Sequence, residues 1–299
     1  MSSRAETPPT AASQGGEQLQ KSSIAPEERE AFYQFNGRLA LFQSTSADKD
    51  HWEKRWSKAN LAELLKAFST GKLDEFEGIF GRHLPKDARV LEAGCGNGQL
   101  VKALSARGYK VEGIDYAVET VRRIQEVDPS LKVRTGDIYQ LDVPDETYGG
   151  YISIGLFEHN EAGPDAALRE TRRVLSKKGV ALISVPYLNN RRARMMRRAP
   201  VSKSALAPDG LSFYQYYYSR AEFQERIERA GMKVVECLPY GVLTGITRQH
   251  PFWEWLDRSR LFIWPLQTRF IHWCANAPQW ARFKYAHMIM FACMRAEAG

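Results

Sequence analysis

The sequence predicts an α/β fold, with a doubly wound, seven-stranded and mostly parallel sheet covered by helices. From Ala88 onward, short runs rich in Val and Ile alternate with amphipathic stretches of helical periodicity, which is the pattern of βαβ units. A glycine-rich turn, EAGCGNG, follows the first of these runs, where open α/β sheets carry a ligand-binding loop. The chain has 299 residues, 43% of them hydrophobic, and is long enough to bury a sizeable core.

The predicted elements alternate along the chain. The strands are RVLEAG, KVEGID, LKVRTGD, YGGYISIGLF, VALISVP, MKVVECLPYG and AHMIMFACMR. The helices among them are GQLVKALSARG, AVETVRRIQEV, DAALRETRRVLSKKG and SRAEFQERIERAG. Gly108 is a stop signal for the first helix, and Ser219 is the expected N-cap of the last.

Five segments are expected. Residues 1–28, rich in Ser, Ala, Pro, Gln and Gly, are predicted to be a disordered tail. A helical, aromatic-bearing N-terminal cap is predicted for 29–84, the core for 85–240 and the final strand for 286–299. The insertion between the core and the final strand, 241–285, holds five of the seven tryptophans: Trp253, Trp255, Trp264, Trp273 and Trp280. This insertion is compatible with a lid over an apolar acceptor, an interfacial amphipathic element, a dimer contact or a packed subdomain.

Composition narrows the class of protein. The net charge of +7 favours anionic partners. The four cysteines lie far apart without a C-x-x-C pair, which argues against a zinc site and a disulfide scaffold, so no metal is expected. The sequence has no secretory h-region and no run of about 18 apolar residues. A cytoplasmic protein is therefore expected.

Three acidic residues lie at the ends of three successive predicted strands. Glu92 precedes the glycines, and Asp115 follows it by 23 positions, where an acid accepts hydrogen bonds from ribose hydroxyls. Asp137 ends the third strand, where its carboxylate can receive an exocyclic amine and Ile138 can pack on a flat ring. Each acid alone is explained by capping or solvation. Together they predict a nucleotide site at one edge of the sheet.

The glycine spacing indicates which nucleotide. Gly94, Gly96 and Gly98 form G-x-G-x-G instead of the dinucleotide fingerprint G-x-G-x-x-G. A carboxylate at Glu92 would repel a pyrophosphate but suits a ligand with an ammonium group and a sulfonium. No Lys-Ser/Thr pair follows the glycines, which excludes a Walker-type loop.

With these motifs, the sequence resembles the class I S-adenosylmethionine-dependent methyltransferases over residues of about 50–240 and the final strand. The resemblance implies a Rossmann-like methyltransferase fold, S-adenosyl-L-methionine as cofactor and S-adenosyl-L-homocysteine as product. It implies that the cofactor contacts Glu92, Gly94, Cys95, Gly96, Gly98, Asp115, Tyr116, Asp137, Ile138 and Leu156. Two departures, Gly149-Gly150 at the fourth strand and Lys177-Lys178-Gly179-Val180 at the fifth, do not touch the acids.

His159 is the candidate general base, because it lies just past the fourth strand and has a suitable intrinsic pKa. Methyltransferases similar to this one often carry Glu-His here whatever their substrate, so the alternative is that the pair only shapes the loop. Trp52 and Trp56, four residues apart, either close over the cofactor or seal the core.

The acceptor side is expected after the fifth strand. Candidate substrate-binding residues are Tyr187, Arg191, Tyr214 and Tyr216. The arginine run NNRRARMMRRAPVSK suits an anionic substrate or a membrane surface, although charge runs are usually solvated. Alternate tyrosines of DGLSFYQYYYSR either wall an acceptor site or pack on the sheet edge.

The predicted function is methyl transfer to a hydroxyl or amine of a small-molecule acceptor: a sugar, a phenolic or quinone-like ring, or a secondary metabolite. Two alternatives stay open. One is RNA or protein methylation, although no appended RNA-binding module is visible and nucleic acid is disfavoured. The other is a non-catalytic binding protein with the same fold. Peripheral membrane contact, and a monomer or a homodimer, are all compatible with the sequence.

Overall fold

A computed structural model describes residues 29–207, 209–247, 273–274 and 276–296. Its strands are β1 (Glu30–Phe35), β2 (Arg38–Gln43), β3 (Arg89–Ala93), β4 (Lys110–Asp115), β5 (Val133–Thr135), β6 (Tyr148–Ile154), β7 (Leu175–Pro186), β8 (Ser212–Tyr217), β9 (Met232–Tyr240) and β10 (Met288–Arg295). Its helices are α1 (Lys49–Ser57), α2 (Leu61–Phe68), α3 (Glu77–His83), α4 (Gln99–Ala106), α5 (Val118–Val127), α6 (Asp165–Val174), α7 (Asn190–Met196), α8 (Arg220–Arg229), α9 (Val242–Thr247) and α10 (Gln279–Tyr285). Short 3-10 turns cover Asp74–Phe76 and Phe157–His159. The expected tail, 1–28, and the tryptophans Trp253, Trp255 and Trp264 lie outside the described residues.

The main sheet has seven strands in the order β5-β4-β3-β6-β7-β10-β9. Strands β3 to β7 pair in parallel, and β10 is antiparallel to both of its neighbours. This confirms the predicted fold class. The chain leaves β3 toward β4 and β5, then crosses back to β6 on the other side of β3. This reversal opens a crevice at the carboxyl ends of the strands, where such sheets bind ligands.

Helices cover both faces of the sheet. One core, around α4 and α5, includes Phe80, Val101 and Ile124. The other, around α6 and α8, includes Leu168 and Phe291. Each face therefore excludes water from the parallel strands, whose side chains are apolar on both sides.

A second, three-stranded antiparallel sheet has the order β1-β2-β8. The helical cap predicted for 29–84 is wrong over 30–43, which form the β1–β2 hairpin, whereas α1 to α3 do occupy the rest. The hairpin turn is Asn36-Gly37, with φ of +49° and +75°, the dipeptide that best adopts the left-handed conformation of a two-residue turn. The hairpin buries Phe35 and Phe42 against the α6–α8 side of the main sheet.

The start of α8 agrees with the sequence prediction, whereas the end of α6 does not. Ser219 caps α8 as predicted, since its Oγ accepts from the Glu222 amide at 3.1 Å. The predicted helix over DAALRETRRVLSKKG ends early, at Val174, because Leu175 already pairs with Tyr148 of β6. Strand pairing thus overrides helical propensity in LSKKG.

No helix of the described residues is long and apolar enough to cross a lipid bilayer. Within that same part of the chain, no three His, Cys, Asp or Glu side chains are grouped to hold a metal ion.

Candidate active site

A cleft of about 2520 Å³ opens at the carboxyl ends of β3, β4 and β6. Its floor is the main sheet, and α1 and the outer face of the small sheet form its walls. It is lined by these sequence-predicted residues: Glu92, Gly94, Cys95, Gly96, Asp115, Tyr116, Asp137, Ile138, Leu156, His159, Arg191 and Tyr214. The fold thus gathers into one cleft residues that are spread over more than a hundred positions of the chain.

The glycine loop lies against the cleft with left-handed backbone. Gly94 and Gly96 have φ of +73° and +50°. A Cβ at Gly94 would lie 2.7 Å from Leu156, and a Cβ at Gly96 would lie 3.0 Å from the Trp56 ring. Gly98 is the N-cap of α4 and stands outside the residues that line the cleft. Only the first two glycines therefore leave space on the cleft side.

Asp115 at the end of β4 braces this loop. Its Oδ2 accepts from the Gly96 amide at 2.8 Å, and its Oδ1 accepts from the Ala117 amide at 3.0 Å. Burial raises the pKa of this carboxyl, and the two amide hydrogen bonds oppose that rise. The carboxylate is held in a fixed orientation at the cleft wall.

Glu92 is buried at the end of β3, and its Oε2 has no hydrogen-bond partner in the described part of the chain. Burial raises the pKa of its carboxyl well above the usual range, and the nearby Asp115 charge adds to that rise. A buried carboxyl oxygen without a donor is costly. Such an oxygen suits a cationic hydrogen-bond donor in the cleft.

The segments that follow β4 and β5 form another side of the cleft. Ile138 is buried, and the exposed Asp137 carboxylate accepts from the Tyr139 amide at 2.9 Å. Tyr116 is 38% exposed. The Cys95 thiol is buried, and burial raises its pKa. This combination offers a flat apolar surface with polar atoms at its rim.

Helix α1 roofs the cleft with two stacked tryptophans. The Trp52 and Trp56 ring centroids are 5.7 Å apart, and Trp52 meets the His159 ring edge-on at 4.9 Å. Glu53 anchors this roof, because its carboxylate accepts from the Glu119 and Thr120 amides at 3.0 and 3.2 Å. These two amides belong to the first turn of α5, where the helix itself offers no carbonyl acceptor and a carboxylate is favoured.

His159 follows β6 and is fixed by the small sheet. Its Nδ1 lies 2.8 Å from the Tyr214 carbonyl oxygen, which can only accept, so Nδ1 carries the proton. In the neutral ring Nε2 is then the acceptor, and it lies 3.7 Å from Glu158 Oε1. Burial lowers the pKa of His159 to about 4 and raises that of Glu158 to about 8. At neutral pH both side chains are uncharged.

Two predicted substrate residues lie elsewhere, since Tyr187 and Tyr216 stand outside the cleft lining. Tyr216 is buried between the sheets, where its hydroxyl donates to the Glu161 carbonyl at 2.9 Å. The cause is a register shift, in which Leu41 pairs with Gln215 but Phe42 pairs with Phe213. The extra residue reverses the side-chain alternation.

The register shift turns Tyr214 toward the cleft while Tyr216 faces the core. Tyr187 continues from β7 and bridges Tyr218 through its backbone. Arg191 and Arg192 of the arginine run line the cleft, and Arg192 is buried, with its guanidinium donating to the Tyr187 carbonyl at 2.7 Å. The remaining arginines of that run are exposed: Arg194, Arg197 and Arg198.

The sequence reasoning missed two residues that shape the cleft. Glu158 was treated only as part of a Glu-His pair, yet its carboxyl is buried and lines the cleft. Glu53 gave no signal, because its partners are backbone amides 66 and 67 positions away.

The model of a family described as a methyltransferase domain matches residues 50–237. The chain therefore belongs to the class I S-adenosylmethionine-dependent methyltransferases. It is 31% identical over 158 residues to a Mycolicibacterium smegmatis protein named "Probable S-adenosylmethionine-dependent methyltransferase", which covers 52% of this chain and 55% of that protein. It is 27% identical over 192 residues to a ubiquinone biosynthesis O-methyltransferase of Xanthomonas axonopodis, covering 62% of this chain and 75% of the relative.

Among solved structures, the chain resembles the complex between the Haloferax volcanii Trm112 methyltransferase activator and a methyltransferase. The TM-score is 0.53 at 16% identity, covering 84% of this chain and 96% of the other. At that identity the likeness concerns the fold alone. The chain thus spans about half the length of the mycolicibacterial relative but nearly all of this structural neighbour.

Proposed function

We propose that this protein transfers a methyl group from S-adenosyl-L-methionine to a hydroxyl or amine of a small-molecule acceptor, with a hydroxyl favoured. The observation that carries the proposal is the position of His159. Its ring lines the same cleft as Glu92 and Asp115, and its Nδ1 is held by a backbone carbonyl, so that Nε2 is the proton-accepting atom. This is the arrangement of a general base oriented by its second nitrogen.

The cleft suits the cofactor at three points. The unpartnered Glu92 Oε2 suits an ammonium donor, Gly94 and Gly96 leave space where a side chain would collide, and the Asp115 carboxylate suits hydroxyl donors. S-adenosyl-L-methionine supplies an activated methyl group on a sulfonium, so the protein's work is positioning and exclusion of water.

The acceptor side is large and mostly apolar. At about 2520 Å³, the cleft exceeds the range of roughly 300–1,000 Å³ for a single drug-sized ligand, which leaves space for an acceptor beside the cofactor. Its outer wall includes Phe32, Leu41 and Tyr217, with Met195 and Arg191 from α7, and the strands of the small sheet add the polar side chains of Glu30, Gln43 and Gln215. The apolar residues of this wall suit a ring or chain of apolar character, and Arg191 suits an anionic substituent.

A phenolic or quinone-like acceptor agrees best with this wall. The Xanthomonas relative is named as an O-methyltransferase of ubiquinone biosynthesis, which supports a hydroxyl on such a ring. Methylation of RNA is the second alternative, and the basic side chains that line the cleft speak for it: Lys49, Arg55, Lys72, Arg191 and Arg192. The relative named as an O-methyltransferase favours the ring hydroxyl. Salt-sensitive RNA binding would favour that alternative.

The proposal is tested by calorimetry with S-adenosyl-L-homocysteine, followed by methyl transfer to a panel of phenols, alcohols, sugars and amines. His159→Asn keeps a donor for the Tyr214 carbonyl but lacks the Nε2 base. We expect this variant to bind S-adenosyl-L-homocysteine normally and to lose about 100-fold or more in kcat. Binding without transfer to any acceptor would indicate a non-catalytic binding protein, and transfer only to RNA or protein would contradict the small-molecule proposal.

A further inference from the structure

Glu158 carries a buried carboxyl, which its own backbone amide stabilises. It is 2% exposed, it lines the cleft, and its Oε2 has no hydrogen-bond partner within the described residues. Its Oε1 lies 3.7 Å from His159 Nε2, too far for a direct hydrogen bond. Buried polar atoms in native proteins almost always have a partner, so an absent ligand is the natural candidate.

Residues from three structural elements surround the Glu158–His159 pair. Helix α1 presents His51 and Arg55 to His159. The segment after β8 presents Tyr218, and the end of β9 presents Tyr240, toward Glu158. The Tyr240 hydroxyl donates to Ser184 Oγ at 2.9 Å and so is engaged away from Glu158. The Tyr218 hydroxyl is buried without a partner in the described part of the chain, and Glu158 itself lines the cleft.

The protonation states make the two groups complementary. Because burial raises the pKa of Glu158 to about 8, its carboxyl is an O–H donor at neutral pH. Because burial lowers the pKa of His159 to about 4, its Nε2 is an acceptor over the same range. A donor group and an acceptor atom therefore lie side by side, with Glu158 Oε1 and His159 Nε2 3.7 Å apart.

We propose that the Glu158 carboxyl and His159 Nε2 form a two-point site for one hydroxyl group of the acceptor, which makes Glu158 a specificity-determining residue. The hydroxyl donates its proton to Nε2 and accepts from the Glu158 carboxyl. An ether has no proton for Nε2. A neutral amine has a single lone pair, which cannot both accept from the Glu158 carboxyl and attack the methyl carbon, so the pair selects hydroxyls. This inference rests on the proposed function.

The reaction balances at these atoms. The hydroxyl proton passes to His159 Nε2, and the acceptor oxygen forms its bond to the methyl carbon. The bond between that carbon and sulfur breaks, and its electron pair stays on sulfur. Glu158 keeps its proton throughout and only orients the oxygen, so it is needed in its neutral form.

The first experiment is the pH profile of kcat/KM for a hydroxyl acceptor in the wild type, Glu158→Gln and Glu158→Leu. Gln keeps a neutral donor at every pH, whereas Leu removes it. We expect the wild type to fall about 10-fold by pH 9 as Glu158 ionises, and Glu158→Gln to stay flat. Glu158→Leu should lose about 100-fold at pH 7, and Glu225→Gln, on the exposed face of α8, should match the wild type.

A wild-type rate that rises through pH 8 would overturn the inference, because Glu158 would then act as a base. An alkaline fall that persists in Glu158→Gln would also overturn it. If Glu158→Leu does not fold, the comparison of the wild type with Glu158→Gln still decides between these results.

The second experiment needs no turnover. In protein saturated with S-adenosyl-L-homocysteine, phenol should shift the ¹⁵N resonance of His159 Nε2, and anisole should not. In Glu158→Gln, phenol should still shift the His159 resonance, and anisole should still leave it unchanged. Equal responses to phenol and anisole in a protein that methylates alcohols would refute the two-point site alone. A phenol-specific shift in a protein without any transfer activity would instead refute the proposed function.

Discussion

The Asp115 carboxylate accepts a 2.8 Å hydrogen bond from the Gly96 amide, and so joins the end of β4 to the glycine loop after β3. The same carboxylate accepts from the Ala117 amide at 3.0 Å. Two cofactor-side elements that are 19 positions apart in sequence thus share one anchoring group. A change at Asp115 affects the shape of the loop as well as any direct contact with a ligand.

Asp115→Ala should abolish binding of S-adenosyl-L-homocysteine, with at least about 100-fold loss of affinity, because a charged acceptor of several hydrogen bonds disappears. The affinity of Asp115→Asn for S-adenosyl-L-homocysteine should lie between those of the wild type and Asp115→Ala. Its side chain keeps one carbonyl oxygen, which can accept from one of the two amides but not from both. Calorimetry measures the affinities. Asp142→Ala, on the exposed surface outside the cleft, is the control and should bind like the wild type. Unchanged affinity in Asp115→Ala would contradict both a direct contact with the ligand and a role of the acid in shaping the loop.

Gly96→Ala should destabilise the protein more than an ordinary glycine replacement at positive φ. The new methyl group would lie 3.0 Å from the Trp56 ring, so strain at φ +50° is joined by a tight contact that the ring must relieve by moving. We expect a loss of about 2–3 kcal/mol in the free energy of unfolding by urea. Gly37→Ala is the matched control, because its φ of +75° leads into open space, and about 1 kcal/mol is expected there. Adding Trp56→Ala should recover part of the Gly96→Ala loss, and strict additivity would contradict the contact.

Glu53→Ala should loosen the roof of the cleft. It leaves the Glu119 and Thr120 amides at the start of α5 without their carboxylate, at a cost of about 1 kcal/mol. Hydrogen exchange of residues 49–57 should accelerate, and Trp52 should become more accessible to a fluorescence quencher. Glu63→Ala, an exposed replacement on α2, serves for comparison. Equal exchange in the two variants would mean that α1 is held by its tryptophans alone.

The contribution of His159 to stability should fall on acidification. The folded pKa of about 4 lies below the ordinary value near 6.5, so between these values the unfolded chain binds a proton that the native ring refuses. The native state is therefore penalised as pH drops from 6.5 to 4, by on the order of 3 kcal/mol. In the wild type Glu158 opposes this loss, because its folded pKa of about 8 lies above the ordinary value and its contribution to stability grows as pH drops. The His159 contribution is therefore measured as the difference between the urea-unfolding curves of the wild type and His159→Asn at several pH values. If stability changed with pH equally in the wild type and His159→Asn, the pKa of His159 in the folded protein would lie close to its ordinary value.

The strand ends could be predicted from sequence because parallel strands place their carboxyl ends at one edge. Glu92 and Asp115 therefore converge in the structure as the sequence suggested. The Asn36-Gly37 hairpin was missed although its turn signal was present, because the aromatic residues around it also fit a helical cap. Sequence alternation alone could not separate Tyr214 from Tyr216, because the register shift that turns them apart depends on pairing with β2.

The role of burial was also hidden in the sequence. A Glu-His pair has ordinary protonation in water, and only the position under α1 and the small sheet makes both groups neutral. Conversely, Arg192 looked like its solvated neighbours, yet its guanidinium is buried against backbone carbonyls. Both outcomes depend on tertiary packing, which residue type and spacing do not encode.

The small sheet joins the first described strands of the chain to a strand about 180 positions later, as the pairing of Leu39 with Tyr217 records. A two-stranded hairpin alone is marginal in water, and so β1 and β2 must wait for β8. During synthesis from the N-terminus, strands β3 to β7 emerge before that partner does. The half of the sheet with the glycine loop can thus assemble first, and the cleft wall formed by the small sheet is completed afterwards. A ribosome-stalled chain ending near residue 190 should already contain the glycine loop and Asp115 while still lacking the cleft wall that β8 completes.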